Sequence, residues 1–247
     1  MMIEKMVALY DFHVPYNVSI KPIVEFIHDF KPNKIILGGD VHDFEAVSSW
    51  VADQSRALDG GIVIENFEEM KDVILDPIAN AKPKNCKMIY LKGNHEARLD
   101  YAMSINPNGR GYWDLEKNID LKAYNMELIH ANIPYKACDN LYFLHGLYTN
   151  DNHTKKTAQA FAGTSVLYGH THDRQEYTVV SPLTSKPYKA ASIGCLCHRN
   201  PLYLRNRPNR WVNGFSYIFV NNENQHFWDT FVCMVDGEFF ANGERYK

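Results

Sequence analysis

Two histidines one residue apart, His170 and His172, close the stretch "SVLYGHTHDR", directly after four residues that read as a buried strand. Neutral imidazole is the commonest protein metal ligand, so the pair raises the question of what lies at the other strand ends. The first apolar run ends in "DFH" (Asp11, His13) and the second in "GGDVHD" (Asp40, His42, Asp43). The third ends in "GNHE" (Asn94, His95, Glu96) and a later one in "LHG" (His145). Together with "GHTH", five strand ends carry side chains that bind metals. Carboxylates and imidazoles without thiolates suit hard or borderline divalent ions, and there are enough of them for two. Paired ions sit roughly 3.5 to 4 Å apart, clamp the attacking and leaving oxygens of an in-line displacement, and acidify water. A carboxylate between a strand and a glycine turn, such as Asp40, is placed to bridge such a pair.

The elements that must position these groups follow from periodicity. Met6 to Tyr10 reads as a strand, "SIKPIVEFIHDF" as an amphipathic helix and "NKIILGGD" as a second strand. Ile62, Phe67, Met70, Val73, Ile74 and Ile78 recur at helical spacing up to about Ala81, and "CKMIYLKGNHE" supplies a third strand and a turn. Beyond Tyr101, "NPNGRGYW" reads as loop, and the next twenty residues mix helical and extended signals. Strands return with "NLYFLHG", "TSVLYGH", "EYTVV", "YKAASIG", "GFSYIFV" and "FWDTFVCMVDGEFF", the last with a hairpin turn at Asp236-Gly237. In open α/β sheets, ligands collect outside the carboxyl ends of the strands. The five motifs are therefore expected to converge at one sheet edge. No repeat or linker divides the chain, so residues 1–247 are read as one domain, with 106–134 as an inserted lid or recognition region.

In this order, "DFH", "GGDVHD", "GNHE", "LHG" and "GHTH" resemble the calcineurin-like metallophosphoesterase family, over about two-thirds of the chain. "GCLCHRNPLY" with "NGFSYIFV" is similar to a poorly characterised group of bacteriophage and bacterial members. The resemblance implies a two-sheet αββα sandwich with a dinuclear metal site at the carboxyl ends of the strands. It implies that Asp11, His13 and His172 hold one ion, that Asn94, His145 and His170 hold the other, and that Asp40 bridges them. Manganese is the first expectation, with iron, zinc or nickel as alternatives. His95 would bind no metal and act beside the scissile phosphate as proton donor or transition-state stabiliser, while a metal-bridging hydroxide attacks phosphorus. The threonine of "GHTH" would let His170 and His172 leave the strand on opposite sides, each toward a different ion.

Within the family, protein phosphatases carry Asp-Arg-Gly after the second motif, where this chain has Asp43, Phe44 and Glu45, and they lack "GHTH". Nucleases of the family share "GHTH" and an Asp at the place of Asp43, but usually have glycine shortly after the first motif, where "HVPY" stands here. The reading is accordingly a phosphodiesterase acting on DNA, RNA or a nucleotide, cyclic nucleotides included. The alternatives are a phosphomonoesterase and a non-catalytic, metal-stabilised scaffold subunit.

Other residues divide between chemistry and structure. Arg98, close behind "GNHE", is placed either to grip a phosphate oxygen or to form a surface salt bridge. Arg199, Arg205, Arg207 and Arg210, with Tyr203 and Trp211, form a basic and aromatic loop; Arg199 and Arg205 are candidate substrate contacts, and a solvated loop capping the site is the plainer account. His28, His130, His153 and His226 are read as structural, and His145 is preferred to His130 because only His145 precedes a glycine at a clean strand end. Asp43 is expected to support the ligands or the turn. Cys195 and Cys197 lack a second Cys pair and read as packing residues.

Composition narrows the class further. A net charge of -3 rules out attraction of a polyanion by the surface as a whole. Five scattered cysteines argue against a disulfide framework and fit a reducing compartment. No segment approaches the ~20 apolar residues of a membrane span, and the N-terminus has no cleavage-site signature. The expectation is a cytoplasmic protein, in the host cytoplasm if phage-encoded, without a membrane partner; the sequence carries no signal of oligomeric state.

Overall fold

The computed structural model describes residues 3–47, 60–183, 185–201 and 204–247. Strand β1 (Ile3–Leu9), helix α1 (Lys21–Phe30) and strand β2 (Lys34–Leu37) form the first βαβ unit. Helix α1 begins with Pro22 in its first turn, buries Ile23, Phe26, Ile27 and Phe30 along one stripe, and stops at Lys31 in the left-handed region before Pro32. Helices α2 (Gly60–Met70) and α3 (Asp76–Ala81), joined by a π-helical turn at Lys71–Leu75, lead to β3 (Lys87–Leu91). Helix α4 (Asn94–Ile105) and the short α5 (Arg110–Trp113) and α6 (Leu115–Asn118) connect to β4 (Met126–Ile129). The order continues with β5 (Tyr135–Cys138), β6 (Leu141–Leu144), α7 (His153–Ala160), β7 (Ser165–Tyr168), β8 (Arg174–Val180) and β9 (Pro187–Ile193). It ends with β10 (Gly214–Asn221), β11 (Phe227–Cys233), β12 (Phe239–Ala241) and β13 (Glu244–Tyr246).

Two sheets result. The six-stranded one runs β11-β10-β1-β2-β3-β4 and the five-stranded one β5-β6-β7-β9-β8, with β12-β13 a separate hairpin. Strands β1 to β4 are parallel, and β10 enters antiparallel beside β1. The period of two along β1 assigns its side chains to two cores. Met6 and Ala8 join Ile36, Ile89, Leu141, Phe143, Leu167 and Ile218 between the sheets. Val7 and Leu9 face the other way, into the core that α1, α2 and α3 cover. Beneath the second sheet, Ala158 of α7 packs on Leu144, Val166 and Tyr168. The layers are helix, sheet, sheet, helix: the expected αββα sandwich.

Several elements differ from expectation. The region read as loop after Tyr101 is largely helical, and in 106–134 Trp113, Leu115 and Ile119 are buried in the helix-side core while Met126–Ile129 extends the first sheet. Helix α7 had no periodic signal, because its eight residues are mostly polar. The Asp236-Gly237 turn is present, with both residues at positive φ and paired amides between Val235 and Glu238. Asn242-Gly243 makes a second turn of the same kind, joining β12 to β13.

Candidate metal centre

All five motifs meet where β1, β2, β3, β6 and β7 end. The backbone there is unusual. Asp11, His13, Asp40, His170 and His172 all have positive φ, between 50° and 68°. Left-handed backbone at a non-glycine residue costs of order 1–3 kcal/mol and clusters where function over-determines the geometry. It also corrects the reason given for "GHTH". Strand β7 ends at Tyr168, so strand alternation does not separate the two histidines. Two left-handed residues flanking Thr171 do, and they aim the rings into different groups.

The first group is Asp11, His13 and His172; the second is Asp40, His145 and His170, with one possible ligand atom from each residue lying close together. His13 Nε2 faces His172 Nε2 at 3.1 Å, and His145 Nε2 faces His170 Nδ1 at 3.2 Å. Asn94 Oδ1 is 2.9 Å from His145 Nε2, which brings Asn94 into the second group. Asp40 lies between the two: its Oδ2 is 3.2 Å from His145 Nε2 and 3.7 Å from His13 Nε2. A third cluster, His13, Asp43 and His95, adjoins the first.

Fixed contacts behind these atoms orient them. Asp11 Oδ2 accepts from the His170 amide at 2.7 Å, and Asp40 Oδ1 from the His95 amide at 2.9 Å. His145 Nδ1 donates to the Gly38 carbonyl at 2.9 Å, which turns Nε2 inward. Asp43 orients two rings at once, with Oδ1 3.0 Å from His13 Nδ1 and 3.1 Å from His95 Nδ1. His95 Nδ1 also donates to the Asp43 carbonyl at 2.6 Å, so its Nε2 faces Asp40 Oδ2, 3.7 Å away. The Arg98 fork reaches both His95 nitrogens, at 3.0 and 3.2 Å, and the Asp43 carbonyl at 3.3 Å. Among the described residues no carboxylate pairs with it. Gly93 and Gly169 let the turns close: an added Cβ would lie 2.1 Å from Asp40 Oδ1 and 2.4 Å from Asp11 Oδ2 respectively.

Electrostatics divide the cluster. Burial resists charge on His145, yet Asp40 and Asp11 outweigh it and push His145 up to about 10. Burial likewise raises Asp40, but His145, His95 and His13 hold it well below the ordinary carboxylate range. Burial, then repulsion from His145, pushes His170 down to about 4, and burial with His13 holds His172 well below 6.5. Neutral His170 and His172 present lone pairs, while the His145–Asp40 pair must lose its proton to solvent when a cation binds. Asp11 Oδ1 and His172 Nδ1 are buried without a hydrogen-bond partner. Facing imidazole lone pairs and an orphaned carboxylate oxygen are what a divalent ion satisfies, so the donor set fits divalent metal.

Other candidates fall elsewhere. His130 and His226 are exposed, His28 pairs with Asp29 at the surface, and His42 is buried, its Nδ1 accepting from the Phe44 amide. Burial pushes His42 down to about 3. His153 is buried against Tyr168 and Asp173, and bonds both. Cys195 and Cys197 are buried free thiols that contact backbone carbonyls. Arg199 and Arg205 are exposed and contact none of the seven proposed ligands, whereas Arg210 and Trp211 border a cavity against His170. Tyr203 lies outside the described residues. Sequence reading assigned no role to Glu96, although its carboxylate is completely buried and accepts from the Asp40, Val41 and Gly93 amides and the Tyr90 hydroxyl. A carboxylate three residues after a helix-starting glycine was the available signal.

The fold is that of the calcineurin-like metallophosphoesterases, with candidate metal-binding groups at the strand ends. Its solved neighbours include wild-type Vps29 from Entamoeba histolytica complexed with zinc, with a TM-score of 0.50 and 13% identity over 98% of this chain and 97% of that one. In sequence, the chain is 23% identical to the Gene 54 protein of Mycobacterium phage L5 and 26% identical to that of Mycobacterium phage D29. Each alignment spans the whole of both chains. No protein-family model matches. No helix among the described residues is long and apolar enough to cross a membrane.

Proposed function

We propose that this protein is a phosphoester hydrolase dependent on two divalent ions, and that its substrate is a phosphodiester of a nucleic acid or nucleotide. One observation carries the reading: Asp40 Oδ2 lies between two donor groups, 3.2 Å from His145 Nε2 and 3.7 Å from His13 Nε2, and His95 is held beside them with one nitrogen facing in. Asp11, His13 and His172 would hold one ion, Asn94, His145 and His170 the other, and Asp40 both. Bound ions supply Lewis acidity toward a phosphoryl oxygen and make hydroxide available near neutral pH. The chain's own residues do the rest. Burial and the Arg98 guanidinium resist the charge on His95, while Asp40 and Asp43 raise its pKa; in this scheme the protonated ring donates from Nε2 to the leaving oxygen. Asp43 fixes that ring's orientation through Nδ1. Arg98, against both ring nitrogens, adds a fixed positive charge where negative charge develops.

Manganese and zinc are the trial metals, zinc because a structural neighbour carries it. The test is hydrolysis of bis(p-nitrophenyl) phosphate and p-nitrophenyl phosphate by metal-loaded protein. The diester is expected to turn over faster, and His95→Ala to slow it roughly 10² to 10⁴-fold with metal retained. Equal rates in that variant would remove His95 from the scheme. Preference for the monoester would make the protein a phosphatase, and bound metal without turnover of either would make it a metal-stabilised scaffold.

A further inference from the structure

A cavity of about 360 Å³ adjoins the centre, lined by His170 together with Asn150, Thr171, Gln175, Arg210 and Trp211. We infer that it is a nucleoside subsite, receiving the base and sugar attached to the scissile phosphate. The inference rests on the phosphodiesterase reading and narrows its substrate.

Three features argue for it. The first is position, because His170, a proposed metal ligand, is itself part of the cavity wall. Trp211 marks the boundary: its ring meets His172 edge-on with centroids 4.2 Å apart. The Trp211 amide donates to Asn209 Oδ1 within its own loop, and the next residue ties that loop to the turn, the Val212 amide donating to the His172 carbonyl. An indole so fixed is a ready stacking surface for a base.

Charge is the second. Arg210 pairs with Asp151 at 3.2 Å, both well exposed, so the rim is close to neutral. The other carboxylate in the wall, Asp173, is already saturated by Thr171, Ser192, Gln175 and His153. A paired rim charge and a saturated Asp173 favour an uncharged ligand over a second phosphate or a charged peptide side chain. An uncharged planar group with donors and acceptors on its edge finds partners here: exposed Asn150, its Oδ1 accepting from the Asn152 amide, offers its side-chain nitrogen, and Gln175, its nitrogen bonded to Asp173, offers its oxygen. The third feature is size, since the volume is at the small end of ligand cavities and suits one nucleoside rather than a strand-length groove.

Saturation-transfer NMR with adenosine and thymidine on zinc-loaded protein tests the cavity without any phosphate or turnover. Base-proton signals are expected in the wild type, lost in Trp211→Ala, retained in Trp211→Phe, and weakened in Asn150→Ala on the exposed loop. No signal in the wild type, or signals unchanged in Trp211→Ala and Asn150→Ala, would overturn the subsite. With manganese, kcat/KM for the p-nitrophenyl ester of thymidine monophosphate relative to bis(p-nitrophenyl) phosphate should fall about 5- to 150-fold in Trp211→Ala, the worth of one stacked base, mainly through KM. An unmoved ratio would also overturn it. Nucleoside binding without turnover of either ester would instead retire the hydrolase reading and leave the subsite standing. Competition by a dinucleotide as strong as by a single-stranded oligonucleotide identifies a small nucleotide as the source of the base, and stronger competition by the oligonucleotide identifies a strand.

Discussion

Glu96 touches no proposed ligand side chain, yet it fastens the turn carrying Asp40 to the turn carrying Asn94. Its two oxygens accept from three backbone amides and the Tyr90 hydroxyl, all at 2.7 to 2.9 Å. Glu96→Gln puts an amide where two backbone N–H groups need acceptors, and should cost about 2 kcal/mol or more in urea unfolding. An unchanged midpoint would show that these bonds are dispensable. The contrast with Asp11, His13 and His172 explains what was legible in the sequence at this scale. Those residues advertise chemistry by type and by their place at the end of an apolar run. Glu96 works through the amide of Gly93, which its spacing after a helix-starting glycine could signal, and through the amides of Asp40 and Val41, 56 and 55 residues away, which nothing local announces. The left-handed backbone of Asp11, His13, Asp40, His170 and His172 was hidden for a related reason. Asp and His tolerate that region better than most residues, so no glycine marks it.

Among the elements, the βαβ units could be read because each strand is an apolar run closed by glycine or a polar motif, and α1 carries a clean stripe with Pro22 at its start. Helix α7 could not. Its residues His153–Ala160 lack an apolar period, and it is held by Ala158 in a small core and by His153 bonding Tyr168 and Asp173. Strand β10 was recognisable as a strand but not as the neighbour of β1, because antiparallel entry from more than two hundred residues away is a property of the assembled sheet. The junction between β3 and α4 is where element geometry bears most directly on the site. With a Cβ at Gly93 sitting 2.1 Å from Asp40 Oδ1 and 2.6 Å from the Asp40 amide nitrogen, the two turns would have to part. Gly93→Ala should therefore reduce metal content on elemental analysis more than it reduces secondary structure by circular dichroism. Full metal content in that variant would contradict the close packing of the turns.

For the molecule as a whole, two sheets bury an apolar layer between them while their carboxyl ends share one crowded, charged edge. Asp11, Asp40, His13, His145 and His172 are each less than a tenth exposed. Buried like this, unpaired lone pairs and carboxylates oppose folding, and any cation that binds them is linked to stability. At metal concentrations about a hundredfold above Kd the linkage is worth about 2.7 kcal/mol, which for a chain of this length is roughly 5 to 11 °C in Tm. Thermal unfolding with manganese and with a chelator should differ by that order, and coincident curves would deny the linkage. The most direct test of the central claim is anomalous diffraction from manganese-soaked crystals. Two peaks are expected, one among Asp11, His13 and His172, the other among Asn94, His145 and His170, roughly 3.5 to 4 Å apart with Asp40 touching both. A single peak, or none at these residues, would contradict the dinuclear centre.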